Sequence, residues 1–335
     1  MSRRAGRAAL RALPALVSAV VLAALLWEAG QQPAAAFGAR VRPGWLALAL
    51  GVKCVSAVLH ELRVHQAFEA PRPPLGAVLR VGFAAGALNL VLPARGGDVA
   101  AVPLLVQHAD ARPAAAAAAV GLGSFFEAVA FAVCLLGAAG SAAPALRAAG
   151  GDPSGALHLA TWGLLGAVAV AAVLVRLRPQ GKAPAAAGSG LRGLLRGAAQ
   201  DAGAVLAQPA LLAWHAALSA AQVGTMILAF ALCFPAVGLI VAAPVGAASL
   251  VLLGSAFASV VLPPGYGAGP AAAAVAALAP FGVGPADALV WAAAYWVVSQ
   301  VPAVVLGLPA WWSLRAQTNA PRGDTAGGDG PAPGG

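Results

Sequence analysis

The sequence predicts an all-α, polytopic membrane protein, and three observations carry that prediction. Hydrophobic residues make up 61% of the 335-residue chain and charged residues only 9%. A soluble domain sits nearer half and a quarter. Apolar runs long enough to cross a hydrocarbon core of about 30 Å recur along the chain. The basic residues fall mainly in short segments between those runs, as the positive-inside rule expects. Mean hydropathy is accordingly high, at +0.84.

The net charge of +9 therefore reads as membrane topology and not as nucleic-acid binding, for which no module is visible. Cys54, Cys134 and Cys233 lie in or beside apolar segments, with no CxxC and no metal-ligand spacing. His60 and His65 flank Glu61, but no further ligand completes a metal site. The sequence thus implies no cofactor, no metal and no catalytic residue.

Taken in order, the elements begin with Arg3, Arg4, Arg7 and Arg11 ahead of an apolar run at 13–27. This resembles a signal peptide, but no cleavage site is fixed and further spans follow. An uncleaved first helix over 12–30 is the expectation, with a basic cytoplasmic N-terminus over 1–11. Further spanning helices are expected near 44–60, 113–139, 156–175, 209–232 and 286–312. Lys53, in the middle of the second, has Glu28 as its candidate partner. Segments 75–92 and 244–262 differ: each runs into a Pro/Gly break and then a shorter apolar stretch, 99–107 or 270–281.

Charge decides how those two segments are threaded. The loop 176–208 carries Arg176, Arg178, Lys182, Arg192 and Arg196 against Asp201 and belongs in the cytoplasm. Arg63 and Arg72 place 61–74 there as well. Both loops reach the cytoplasmic side only if 75–92 and 99–107 form a re-entrant hairpin that enters and leaves on that side. The same parity makes 244–262 and 270–281 a hairpin from the outer side. The expected architecture is about six spanning helices plus two oppositely oriented re-entrant hairpins, an inverted repeat. Repeat one covers about 44–175, a linker about 176–208, and repeat two about 209–312. Within the linker, 191–196 reads as an amphipathic segment on an anionic membrane face. The Pro-, Gly- and Asp-rich tail, 313–335, reads as disordered. The longest polar stretches are too short for a soluble catalytic domain.

The first break holds the most informative residues. Leu-Asn-Leu-Val-Leu-Pro-Ala-Arg-Gly-Gly-Asp at 88–98 sets an arginine and an aspartate at the end of an apolar run. Charge at membrane depth costs about 2.5–3.5 kcal/mol per group on insertion scales, so it persists where it functions. The form returns weakly at 262–269 as Leu-Pro-Pro-Gly-Tyr-Gly-Ala-Gly. Such paired broken segments point to a binding site between repeats.

These residues are similar to the lysylphosphatidylglycerol synthase transmembrane family, also called flippase-like membrane proteins. The resemblance rests on Asn89, Leu92, Pro93, Arg95, Gly96, Gly97 and Asp98, then on Glu127. Near the C-terminus it rests on Leu262, Pro263, Gly265 and Gly267, followed by Phe281, Gly282 and Val283. The stretch His60-Glu61-Leu62-Arg63 also resembles the end of the family's second helix. The resemblance spans roughly residues 12–312 and implies a membrane domain that handles lipids, without the soluble aminoacyltransferase domain. The chain departs from the pattern where the family carries charge, at Ala101, Ala128, Gly269 and Pro270.

The site residues are Asn89, Arg95, Gly96, Gly97, Asp98, Glu127, Gly265, Tyr266 and Gly267. Arg95 either holds a lipid phosphate, with Asp98 orienting it, or pairs internally with Asp98 to pin the hairpin. Gly96 and Gly97 either bring backbone N–H groups to a phosphate or serve the turn. Glu127 is a cavity proton site, a partner of Arg95 or Arg80, or a packing partner. Gly265, Tyr266 and Gly267 form the second tip, where Tyr266 either bonds a headgroup or anchors at the interface. Trp291, Trp296, Trp311 and Trp312 read as belt or packing residues.

The expected function is translocation of a polar lipid with an anionic or phosphate-linked headgroup in a plasma membrane. With no ATPase motif, a gradient, a potential or mass action would drive it. The alternatives are an intramembrane enzyme using Asp98 and Glu127 on a lipid or lipid-linked sugar, and a non-transporting accessory of envelope synthesis, which the missing charges favour. Membrane lipids are the expected partners; a second copy of the chain or a lipid-synthesis protein is left open.

Overall fold

A computed structural model of the protein describes residues 19–20, 23–24, 40–69, 72–92, 95–148, 190–261 and 264–319. The expected helix at 156–175 lies outside these residues, and that at 12–30 almost wholly so. Every regular element among the described residues is helical. In order they are α1 (Pro43–Gln66), α2 (Leu75–Leu88), α3 (Gly96–His108), α4 (Pro113–Ala148), α5 (Leu191–Leu206) and α6 (Pro209–Ala231). A single turn, α7 (Cys233–Ala236), precedes α8 (Pro244–Val261), α9 (Ala268–Leu278) and α10 (Pro285–Asn319).

Among the described residues, four stretches are long and apolar enough to cross a membrane: Pro43–Gln66, Pro113–Gly137, Pro209–Ala236 and Pro285–Gln317. All four begin at a proline, whose fixed φ suits the first helical position and whose missing N–H would have no partner there. The chain is thus an all-α polytopic membrane protein. Leu75–Leu88, Pro244–Ala258 and Ala268–Phe281 are apolar but shorter, and they fall at the two segments that the sequence marked as broken.

Small residues let each broken pair close on itself. A Cβ on Gly97 of α3 would run into the Ala85 carbonyl of α2. A Cβ on Gly254 of α8 would lie 2.9 Å from Ala273 Cβ on α9, and one on Gly269 2.8 Å from Ala258 Cβ. Those two contacts step in opposite directions along α8 and α9, so the helices run antiparallel. Such close approach is how helices associate where lipid removes the hydrophobic drive between them.

The two breaks then meet each other. Gly265, in a 3₁₀ turn at Pro264–Tyr266, lies so close to Leu90 that a Cβ there would overlap the Leu90 carbonyl. Behind that contact, Gly307 of α10 presses on the Phe83 carbonyl of α2, where a Cβ would come within 2.6 Å. Two cores flank the junction. One gathers Phe230, Phe234, Trp291 and Tyr295, with ring centroids 4.3–5.4 Å apart. The other gathers Val78, Val81, Leu105 and Leu122. At one end of the bundle Arg40 pairs with Asp287, and the Arg42 N–H donates to Ala236 O at 2.8 Å.

Three expectations shift. α1 continues to Gln66 and Arg63 is 0% exposed, so Arg63 is an interior residue and not a cytoplasmic loop charge. α10 runs on to Asn319, past the expected end at 312. Residues 191–206 form one amphipathic helix, α5, which packs on α4. Arg112 reaches Asp201 at 3.5 Å, and Gly197 sits against Ala114.

Candidate functional site

A cavity of about 340 Å³ opens between the two broken pairs and the long helices. Helix α1 presents Lys53, Ala57, His60 and Glu61 to it, the spacing that keeps side chains on one helical face. Helix α4 adds Ser124 and Glu127, the first break adds Asn89, Arg95 and Asp98, and α6 adds Gln222.

Arg95 is the hinge of the first break. It caps α3 with φ +56° and ψ +38°, the left-handed region that L-residues other than glycine, asparagine and aspartate seldom adopt. Its side chain supplies the compensation. Nε donates to Asp98 Oδ2 at 2.8 Å. Nη1 and Nη2 donate to the two oxygens of Glu127 at 3.0 and 3.5 Å. The guanidinium fork thus grips two carboxylates.

Asn89 completes the break. Its amide nitrogen donates to Asp98 Oδ1 at 2.8 Å, and its oxygen accepts the Gly97 N–H at 2.7 Å. One side chain therefore satisfies an otherwise unpaired N–H of the first α3 turn and fixes Asp98. Gly97 has its N–H taken by Asn89 and its missing side chain taken up by close packing, so it serves the turn. Gly96 is pressed by Leu92, whose Cβ would lie 2.9 Å from an added Cβ.

Glu127 joins this break to the far wall. Arg63 Nη2 donates to Glu127 Oε2 at 2.9 Å, and His60 Nδ1 lies 3.3 Å from the same oxygen. Arg63 in turn donates through Nη1 to Gln222 Oε1 at 3.1 Å and Ser219 Oγ at 3.3 Å, both on α6. A continuous polar chain runs from the tip of α3 through Glu127 and Arg63 to α6. Of the two cations expected as its partner, Glu127 pairs with Arg95 and not with Arg80, which is exposed.

At the opposing tip, the Trp296 indole N–H donates to Gly265 O at 3.1 Å. Its ring edge would lie 3.3 Å from a Cβ on Gly267, which has φ +75°. Tyr266 is 38% exposed. Trp296→Phe is expected to cost about 0.5–1.5 kcal/mol, the worth of one hydrogen bond, read as a lower melting temperature in detergent.

The model of the family described as the lysylphosphatidylglycerol synthase TM region matches residues 11–307. The chain belongs to this family. No curated protein and no solved structure matches it. Membership in the lysylphosphatidylglycerol synthase TM family and the four long apolar helices make it an integral membrane protein of lipid-related processes.

Against that family pattern, the structure brings Asn89, Arg95, Gly96, Gly97, Asp98 and Glu127 into one cluster. It puts Gly265, Tyr266 and Gly267 at the facing tip, outside the charged network. Of the positions where this family member lacks the usual charges, Ala101 and Pro270 lie on the cavity wall itself. Gly269 is packed on Ala258 and Ala128 faces outward. Sequence reasoning missed Lys53 and Glu61 as cavity groups and Arg63 as the buried partner of Glu127. The i, i+3, i+7, i+8 spacing of Lys53, Ser56, His60 and Glu61 was the available signal, since polar residues repeating along one face of an apolar helix face protein or water and not lipid.

Proposed function

We propose that this protein translocates a polar, phosphate-bearing lipid across the cell membrane without altering it chemically. One observation carries the reading: a charged cavity sits between two broken helix pairs whose tips touch. A headgroup enters that cavity while its acyl chains stay in the bilayer, and parting one tip from the other exposes the cavity to each side in turn. On this reading the pairs are re-entrant and oppositely oriented, and the N-terminus is cytoplasmic. Irregular backbone at membrane depth is tolerated where it is buried in protein or lines such a space. Asp98 and Glu127, the carboxylates a chemical step would use, are held by guanidinium and amide donors, which favours carriage over chemistry.

The test is translocation in proteoliposomes carrying headgroup-labelled phosphatidylglycerol or a labelled polyprenyl-phosphate sugar. Wild type is expected to move at least one of them with its covalent structure intact. Arg95→Ala/Asp98→Ala is expected to reduce the rate to background while eluting as the same monodisperse species. Background rates for both proteins and both lipids would defeat the proposal.

A further inference from the structure

The charges of the paired groups cancel among themselves, and Glu61, the other carboxylate on the cavity wall, has His60 Nε2 4.0 Å away. Arg63 and Arg95 face Asp98 and Glu127, and every nitrogen of the Arg95 fork is already engaged by a carboxylate. Lys53 stands apart. It lines the same cavity, yet its ammonium makes no hydrogen bond and has no carboxylate within 4.0 Å among the described residues. The Phe230 ring centroid lies 5.8 Å from its Nζ.

Position sharpens the point. Within α1, Lys53 is about 15 Å of helix from Pro43 and about 20 Å from Gln66, at 1.5 Å per residue. It is near the middle of a span, where the side chain cannot snorkel to either interface. A cation held there needs an anion or water beside it.

We propose that Lys53 receives the phosphate of the translocated lipid, and that Arg95 sets the shape of the tip instead of touching the ligand. This rests on the translocation reading and assigns the anion subsite within it. The ligand chemistry is a phosphate ester oxygen, to which a lysine ammonium offers three rotatable donors as a point charge. Phe230 and Tyr295, with ring centroids 4.3 Å apart, line the cavity alongside Lys53, so an anion in the cavity meets the ammonium against an aromatic wall. The walls at Ala101 and Pro270 are neutral, and Lys53 is the cavity-lining cation with no carboxylate within 4.0 Å among the described residues.

The experiment titrates the purified protein in detergent with phosphatidylglycerol and, separately, with inorganic phosphate, read by tryptophan fluorescence. The variants are Lys53→Gln, Lys53→Arg and Lys53→Gln/Glu28→Gln. Saturable binding by wild type is expected, weakened about tenfold or more in Lys53→Gln, the loss of one charge-assisted hydrogen bond, and largely kept in Lys53→Arg. Saturation by phosphatidylglycerol alone assigns a headgroup; saturation by inorganic phosphate alone keeps Lys53 as the anion subsite and removes the lipid. Equal binding by wild type and Lys53→Gln overturns the assignment, as does the absence of saturable binding in wild type. Recovery of binding in the double variant also overturns it, because the ammonium would then serve only to neutralise Glu28. Binding that depends on Lys53 without any flux in proteoliposomes counts against translocation and leaves the subsite standing.

Discussion

Glu127→Ala is expected to destabilise the protein by about 3–5 kcal/mol, the usual consequence of removing one partner from a buried ion pair. The reason is the inequality of its partners. Arg63 is 0% exposed at its side chain and Glu127 14%, whereas Arg95 is 48% exposed. Without Glu127, water can solvate Arg95, but Arg63 is left as an uncompensated charge held only by Gln222 and Ser219 and His60. The contrasting variant is Arg95→Ala, which disturbs a half-exposed pair and is expected to cost less, since exposed ion pairs contribute about 0–1 kcal/mol. Thermal unfolding in detergent orders the two. Arg63→Leu/Glu127→Leu is expected to recover much of the loss, because apolar pairs often replace buried ion pairs at little cost. Identical melting of Glu127→Ala and wild type would show that Arg63 is neutralised elsewhere, and the polar chain from α3 to α6 would lose its place as a structural strut.

How much of this could be read from the chain alone follows from what a sequence encodes locally. The Pro/Gly breaks at 93–97 and 263–267 and the apolar runs beside them are local signals, and the helices stop and restart where those signals fall. That Arg95 and Asp98 pair is equally local. Their meeting with Glu127 is a long-range fact, but the scarcity of charge made it legible: a carboxylate in an apolar helix seeks one of very few cations. Arg63 was misplaced for the opposite reason. A basic residue near the end of an apolar run has the same signature whether it marks a cytoplasmic loop or turns inward, and only the packing of α1 on α6 distinguishes the two. Lys53 shows the same limit. Its surroundings depend on which distant helices pack against the polar face of α1, which the sequence of α1 itself does not specify. The contact of Leu90 with Gly265 has no sequence signal at all, since it is made by backbone.

That backbone contact gives the second large effect. Gly265→Val is expected to part the two tips and open the cavity. An added Cβ would lie 3.0 Å from the Leu90 carbonyl carbon and closer still to its oxygen. These are backbone atoms, so no rotamer change relieves the clash, and overpacking of this kind costs about 1–3 kcal/mol. The cheapest relief is to move the 3₁₀ turn away from Leu90, which also stretches the Trp296 bond to Gly265 O. A cysteine at Ser124, on the cavity wall, reports the consequence in a chain with Cys54, Cys134 and Cys233 replaced. Its labelling by a membrane-impermeant thiol reagent should rise about tenfold or more in Gly265→Val, as a shift of about 1.4 kcal/mol between closed and open states requires. Gly51→Ala is the control: it lies in α1 with open space around its Cβ position, and it should raise stability by about 0.5–1 kcal/mol without changing the labelling. If valine at 265 leaves Ser124→Cys labelling at the Gly51→Ala level, the tips are not the barrier that closes the cavity. Alternate access would then have to be sought where Gly307 of α10 presses on Phe83 and Ala87 of α2. That second glycine contact joins the same two halves of the molecule away from the tips, so the paired result locates the moving boundary whichever way the labelling falls.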